Sequence, residues 1–305
     1  MGKIAFVFSG QGAQYPGMGK ELAQVSPAAK AVFDLADAIR PGTSEQCFNG
    51  TKEDLTITSN TQPDMFAVEV AAASALLEAG VTPDVLAGFS VGEISALGFS
   101  GAVSVEDAFR LVCRRGELMQ IASNEVSTGM TAVVKLPPEK VEELAAAAEQ
   151  VYPVNYNSAA QTVCAGLSSS MADFRAAVKA AGGRAIPLKV AGAFHSPFMH
   201  SAAVGLVEVL APMEFKEPNY PLYSNVTAQP YEPGKFKELL SKQLENPVRW
   251  QAIVENMAAA GVDTFIEVGP GSTLTGLIKR ILPDATALNV EDAATLKSAV
   301  EAVKG

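Results

Sequence analysis

Cysteine, histidine and basic residues are all scarce in this chain of 305 residues, and each shortage removes a class of function. The three cysteines, Cys47, Cys113 and Cys164, are odd in number, far apart and free of any CxxC or Cys/His grouping, so neither a disulfide framework nor a metal site is indicated. Lys and Arg number 23 against 33 Asp and Glu, a formal net charge of −10. That field opposes phosphate backbones and anionic lipid, so no nucleic acid and no membrane surface is expected as a partner. Long apolar runs are missing too: no stretch approaches a membrane span, and Ile4–Phe8 is too short for the core of a secretion signal. A reducing cytoplasm is the expected location. What is present is a globular balance, 48% hydrophobic and 18% charged without low-complexity tracts, in a length that allows one large domain or two medium ones.

Short apolar runs ending in Gly or Ser alternate with Ala- and Leu-rich helical patterns, the rhythm of an α/β chain with a parallel sheet. Ile4–Phe8, Asp84–Phe89 and Thr264–Val268 read as strands. A helix is expected over about 61–79, with Pro63 and Asp64 in its first turn and Gly80 just past its end. Further helices are expected over Val91–Gly98 and Ser272–Ile281. The middle of the chain changes rhythm: from Gly129 the order is β-α-β-β-α-β, that of a ferredoxin-like unit. The pattern therefore predicts a small subdomain over 127–192 inserted into a larger α/β unit made of 1–126 and 193–305, with the ligand in the cleft between them.

Gly88-Phe89-Ser90-Val91-Gly92 is a GxSxG sequence placed between a predicted strand and a predicted helix, the context in which that pattern exposes a serine hydroxyl on a sharp turn. The N–H of Val91 opens the helix and can face a developing oxyanion. Only two histidines are available as a base. His200 falls inside the helix that Ser196 caps and Pro197 begins, whereas His195 stands just before that cap, where the small subdomain rejoins the large one. His195 is therefore the expected base and His200 a structural residue. No carboxylate offers itself as a third member: Asp107 and Asp173 are each accounted for as helix-start charge, and a backbone carbonyl could orient the imidazole instead.

In the helix that begins at Ser104, the spacing puts Arg115 on the apolar face with Ala108, Val112 and Met119, while Arg110, Arg114 and Glu117 share the other face. An arginine turned inward meets either a carboxylate of the protein or one from a ligand, and periodicity leaves the two open. Ser9-Gly10-Gln11-Gly12 follows the first strand and lacks the GK[ST] of a phosphate loop; beside a nucleophile turn it can supply a second oxyanion donor. Gly269-Pro270-Gly271 reads as the turn before the last of these helices.

Taken together, GQGAQ, GFSVGE, RRGELMQ, NYNSAAQTVCAG, AFHSP, NPVRW and EVGPGSTLTGLIKR, in this order between residue 4 and about 281, resemble the malonyl-CoA:acyl carrier protein transacylase family, which polyketide synthase acyltransferase domains also resemble. The resemblance implies an α/β-hydrolase-like large subdomain with a ferredoxin-like insert. It implies Ser90 as nucleophile, His195 as base, the N–H groups of Gln11 and Val91 as oxyanion hole, and Arg115 as the clamp on a malonyl carboxylate. It also implies that a main-chain carbonyl in NPVRW, that of Arg249, orients the histidine, and that Phe194 leaves little room for a branched acyl group. The substrates implied are malonyl-CoA and holo acyl carrier protein, with no cofactor or metal beyond them. Arg114, Lys189, Lys279 and Arg280 are the candidates for docking an acidic carrier protein. Phe89 stands where the family usually has His, Ser9 where Pro is usual, and NYNSAAQ where NYNSPGQ is common. Oligomeric state is not fixed by the pattern, and a monomer is the working expectation.

Overall fold

The computed structural model describes residues 2–190 and 192–305. Two sheets organise them. The first is parallel throughout, in the order β7-β2-β1-β8-β9, with β1 at Lys3–Phe8, β2 at Val85–Gly88, β7 at Leu222–Tyr223, β8 at Val262–Val268 and β9 at Thr286–Val290. A parallel sheet is covered on both faces, which is why its strands are continuously apolar rather than alternating. Successive side chains of β1 go to opposite sides. Phe6 and Phe8 join the core around the Thr58–Glu78 helix, while Ala5 and Val7 join Trp250, Ile253, Met257 and Leu274 on the other face.

Register then places the chemistry. Phe8 is level with Gly88 on one side and Val268 on the other, so the loops after β1, β2 and β8 all emerge at one edge. That edge, at the carboxyl ends of parallel strands, is where ligands of open α/β sheets bind.

The second sheet is antiparallel throughout, in the order β4-β5-β3-β6, with β3 at Thr128–Val134, β4 at Val151–Ser158, β5 at Gln161–Leu167 and β6 at Arg184–Leu188. Together with the helices Pro138–Ala146 and Met171–Ala180 this is the ferredoxin-like arrangement, and all of it falls inside the segment 127–192. One face of the sheet carries Val133 and Cys164 onto those helices, around Val141, Phe174 and Val178. The opposite face, with Met130, Ala132 and Val163, turns toward the parallel sheet.

Two helices differ from their expected bounds. Ser196 and Pro197 open a 3-10 turn over Pro197–Met199, and the α-helix that follows starts at His200 itself. The helix expected from 61 begins at Thr58, so Pro63 lies inside it rather than in its first turn. The start is fixed from outside: Thr58 N donates to Gln120 Oε1 at 3.0 Å, a partner 62 residues away that no local pattern records. Among the described residues no helix is long and apolar enough to cross a membrane.

Candidate active site

Ser90 sits between β2 and the Val91–Phe99 helix with φ 57° and ψ −102°, a backbone conformation that non-glycine residues rarely adopt. Such strain costs about 1–3 kcal/mol and persists only where surrounding contacts hold it. The flanking glycines make the turn possible. A Cβ on Gly88 would lie 2.0 Å from the Gly92 carbonyl carbon, and one on Gly92 only 2.4 Å from the Phe8 carbonyl oxygen. Asn225, buried after β7, fastens the turn: its Oδ1 accepts from Ser90 N at 2.8 Å and its Nδ2 donates to Gly88 O at 2.6 Å.

His195 has a left-handed backbone of its own, φ 61°, and is buried. Its Nε2 lies 2.7 Å from Ser90 Oγ and its Nδ1 lies 2.8 Å from the Gln243 carbonyl oxygen. A carbonyl can only accept, so Nδ1 carries the proton and the Nε2 lone pair faces the serine hydroxyl. Burial, and then the positive charge of Arg115, push the imidazole down to about 4, against the opposing hydrogen bonds to the Gln243 and Asn246 backbone. The ring is neutral at pH 7, the form a base needs. His200 is on the surface, paired with Glu245 at 2.8 Å.

The orienting carbonyl is therefore that of Gln243, and the expectation of Arg249 is corrected. Arg249 O is already taken as the first acceptor of the Trp250–Ala259 helix, from Ile253 N at 3.0 Å, and Arg249 N donates to Asn225 O. Gln243 ends the Phe236–Gln243 helix, where the last carbonyls have no partner within the helix and are free for another donor.

Arg115 turns inward as expected and meets no carboxylate of the protein directly. It is fully buried on the Val105–Glu125 helix, and its hydrogen-bond partners are neutral: Gln62 Oε1 at 2.7 Å, Gln243 Oε1 at 2.7 Å and Ser90 Oγ at 3.2 Å. Its Nε has no partner among the described residues. Burial lowers the guanidinium to about 10, with Glu93 acting against the fall, so it remains charged. A buried cation with no carboxylate in direct contact, one hydrogen bond from a nucleophile, is a place for an incoming anion.

Ser90 and His195 open onto a cavity of about 240 Å³ between the two sheets, with Phe194, Asn155, Asn157 and Gln161 also on its wall. Gln11 lines it as well, and among the described residues neither Gln11 N nor Val91 N is used by a carbonyl or side-chain acceptor. Phe89 packs on Trp250 with ring centroids 5.6 Å apart and leaves no room for a side chain on Gly10, so an aromatic floor replaces the polar neighbour that the resemblance led one to expect. Ser9 N donates to Val268 O, a bond that proline could not make. A larger hollow of about 940 Å³ lies around Phe215 and Phe236, and neither serine, cysteine nor histidine lines it.

Among the docking candidates, exposed Arg280 reaches Gln161 Oε1 on the cavity wall at 3.4 Å, and exposed Lys189 lies between the lining residues Leu188 and Val190. Arg114 is already paired with Glu117 on the outer face of its helix. Asn225, Gln243 and Glu93, which hold the site together, were missed by sequence reasoning; only Glu93 carried a signal, as the residue that closes GFSVGE.

A model of the acyl transferase domain family matches residues 5–300. A malonyl CoA-acyl carrier protein transacylase of Bacillus subtilis (strain 168) is 39% identical over 311 residues, covering 100% of this chain and 98% of that protein. Its counterpart in Escherichia coli (strain K12) is 38% identical over 99% of this chain and 100% of that protein. Among solved structures, the malonyl CoA-acyl carrier protein transacylase of Clostridium perfringens superposes with a TM-score of 0.95 at 38% identity, over 99% of this chain and 97% of that one. A malonyl-transacylase in complex with its holo type II PKS acyl-carrier protein (PlMCAT:AntF) superposes with a TM-score of 0.94 at 37% identity, over 98% and 99%.

Proposed function

The chain belongs to the acyl transferase domain family, and on that premise we propose that it moves the malonyl group from malonyl-CoA to the phosphopantetheine thiol of an acyl carrier protein. The observation that carries this reading is the buried, carboxylate-free guanidinium of Arg115 standing 3.2 Å from Ser90 Oγ. A hydrolase of simple esters has no use for it.

Ser90 gives its proton to His195 Nε2 while Oγ attacks the thioester carbon. The oxyanion that forms is held by Gln11 N and Val91 N, and one such donor contributes about 3 kcal/mol to lowering the barrier. The tetrahedral intermediate collapses, the C–S bond breaks, and His195 returns its proton to the departing CoA thiolate. The malonyl carboxylate occupies Arg115, taking the place of the contact to Ser90 Oγ. The carrier thiol then attacks the malonyl-serine and the same steps run backwards, a ping-pong exchange that asks for no resident cofactor or metal. Phe194, buried beside His195 on the cavity wall, narrows the space around the α-carbon and favours an unbranched acyl group.

Lys189 and Arg280 flank the cavity and are the docking residues we assign to an acidic carrier protein, ahead of Arg114, whose charge is spent on Glu117. We assign the product to fatty acid synthesis in the cytoplasm, a location that suits three free thiols. Supply of a polyketide carrier is the second reading, prompted by the solved transacylase of the same fold in complex with a type II PKS carrier. The test is transfer from malonyl-CoA to purified holo carrier proteins. Rapid malonyl-carrier formation with little free malonate is expected, and release of malonate with no thiol acceptor present would make the protein a hydrolase.

A further inference from the structure

Arg115 touches only neutral groups, yet a buried cation needs a counter-charge within a short distance. Glu93 is the carboxylate whose charge acts on Arg115. It is fully buried in the first turn of the Val91–Phe99 helix and accepts from Tyr231 Oη at 2.6 Å, from Asn225 N at 3.1 Å and from Gln243 Nε2. The same Gln243 side chain offers its Oε1 to Arg115 Nη2 at 2.7 Å. One amide therefore stands between the carboxylate and the guanidinium with its N–H toward the anion and its C=O toward the cation, the orientation that couples the two charges.

We propose that Glu93 is the resident counter-charge of Arg115, relayed through Gln243, and that it gives up this role by taking a proton when a substrate carboxylate reaches Arg115. This rests on the malonyl reading above. In the empty enzyme above pH 7, with Glu93 ionised, the two charges cancel. A malonyl carboxylate adds a second negative charge to the same water-poor interior, and one proton on Glu93 restores neutrality. Acylation itself leaves the proton count unchanged, because the Ser90 proton passes through His195 to the CoA thiolate; the extra proton comes from solvent. Tyr231, which binds Glu93, also lines the outer Phe215/Phe236 hollow and so connects the buried carboxyl to the solvent side.

The titratable groups that act on Glu93 are Tyr231, whose hydroxyl is pushed far up and stays a donor, and Arg115. Burial raises Glu93 to about 7, against the hydrogen bonds from Tyr231, Gln243 and Asn225 and the charge of Arg115. A modest further rise therefore protonates it near neutrality. His195, pushed down to about 4, would have to climb much further to take the same proton. The sign follows: above pH 7 the free enzyme holds Glu93 ionised, malonyl binding must recruit a proton, and the KM for malonyl-CoA rises with pH by up to about tenfold per unit.

The experiment mixes stoichiometric malonyl-CoA with the enzyme in weakly buffered solution at pH 8 with a pH indicator, and counts the adduct by mass spectrometry. Uptake approaching about one proton per malonyl adduct is expected, with none for acetyl-CoA, which brings no carboxylate. In Glu93→Gln the adduct should form without uptake and the rise of KM with pH should flatten. A wild-type malonyl adduct formed without proton uptake overturns the proposal, as does uptake that persists in Glu93→Gln, which would place the proton on His195. If Glu93→Gln fails to fold, Tyr231→Phe takes its place: loss of a hydrogen bond to the ionised carboxylate raises Glu93, so uptake per malonyl adduct at pH 8 should fall, and unchanged uptake overturns the proposal. Absence of any wild-type adduct would remove the malonyl reading and this inference with it.

Discussion

The two walls of the cavity are built on opposite plans. The parallel-sheet wall brings Ser90 and His195, both with left-handed backbones, together with a buried polar network of Asn225, Gln243, Glu93 and Arg115. The wall from the inserted subdomain is antiparallel strand with no left-handed residue in its lining, presenting Met130, Ala132 and Val163, with Asn155 and Asn157 where β4 shifts register against β5. Left-handed strain is tolerated where reacting atoms must be aimed, and the facing wall shapes and dries the space with strand and register shifts alone.

The contrast can be broken first at Arg115. Arg115→Ala should lower kcat/KM for malonyl-CoA by about 10²- to 10³-fold, the cost of losing one partner of a desolvated charge pair, and for acetyl-CoA by less than about tenfold. Steady-state kinetics with both thioesters checks this, and equal losses would remove the clamp.

A paired glycine substitution sharpens the comparison between the walls. Gly92→Ala drives a Cβ to 2.4 Å from the carbonyl oxygens of Phe8 and Ser9, which are backbone and cannot step aside. About 3 kcal/mol of stability should go, with a fall in Tm of about 6 °C by calorimetry. In the inserted subdomain, a Cβ on Gly129 meets only Met171 Cγ, at 3.8 Å. Gly129→Ala should stay within about 1 kcal/mol of wild type.

The smallest effect is at the rim. Charge reversal of Lys189 and Arg280 should slow transfer to the carrier protein about tenfold while sparing acylation by malonyl-CoA. Half-reaction rates measured separately decide this, and an equal fall in both would take these residues away from docking.

Much of this arrangement was legible in the sequence where a function is compressed into neighbouring residues. GxSxG between a strand and a helix located Ser90, and the elimination of His200 left His195. Helical spacing placed Arg115 inward but could not say what it met. The members that escaped act at a distance: Asn225 lies 135 residues from Ser90, and Gln243 lies 153 from it. A main-chain carbonyl leaves no trace in side-chain identity, so the resemblance pointed to Arg249, and only the helix ends showed that its carbonyl is taken while that of Gln243, outside NPVRW, is free. The same holds for the helix that starts at Thr58, whose first N–H is held by a glutamine from another element.

Intact-mass spectrometry of the protein after brief incubation with malonyl-CoA and no acceptor, alongside Ser90→Ala, tests the central claim most directly. A single malonyl adduct is expected on the wild type, absent from Ser90→Ala and discharged by holo acyl carrier protein. An adduct that survives in Ser90→Ala, or one that the carrier thiol cannot remove, would contradict acyl transfer through this serine.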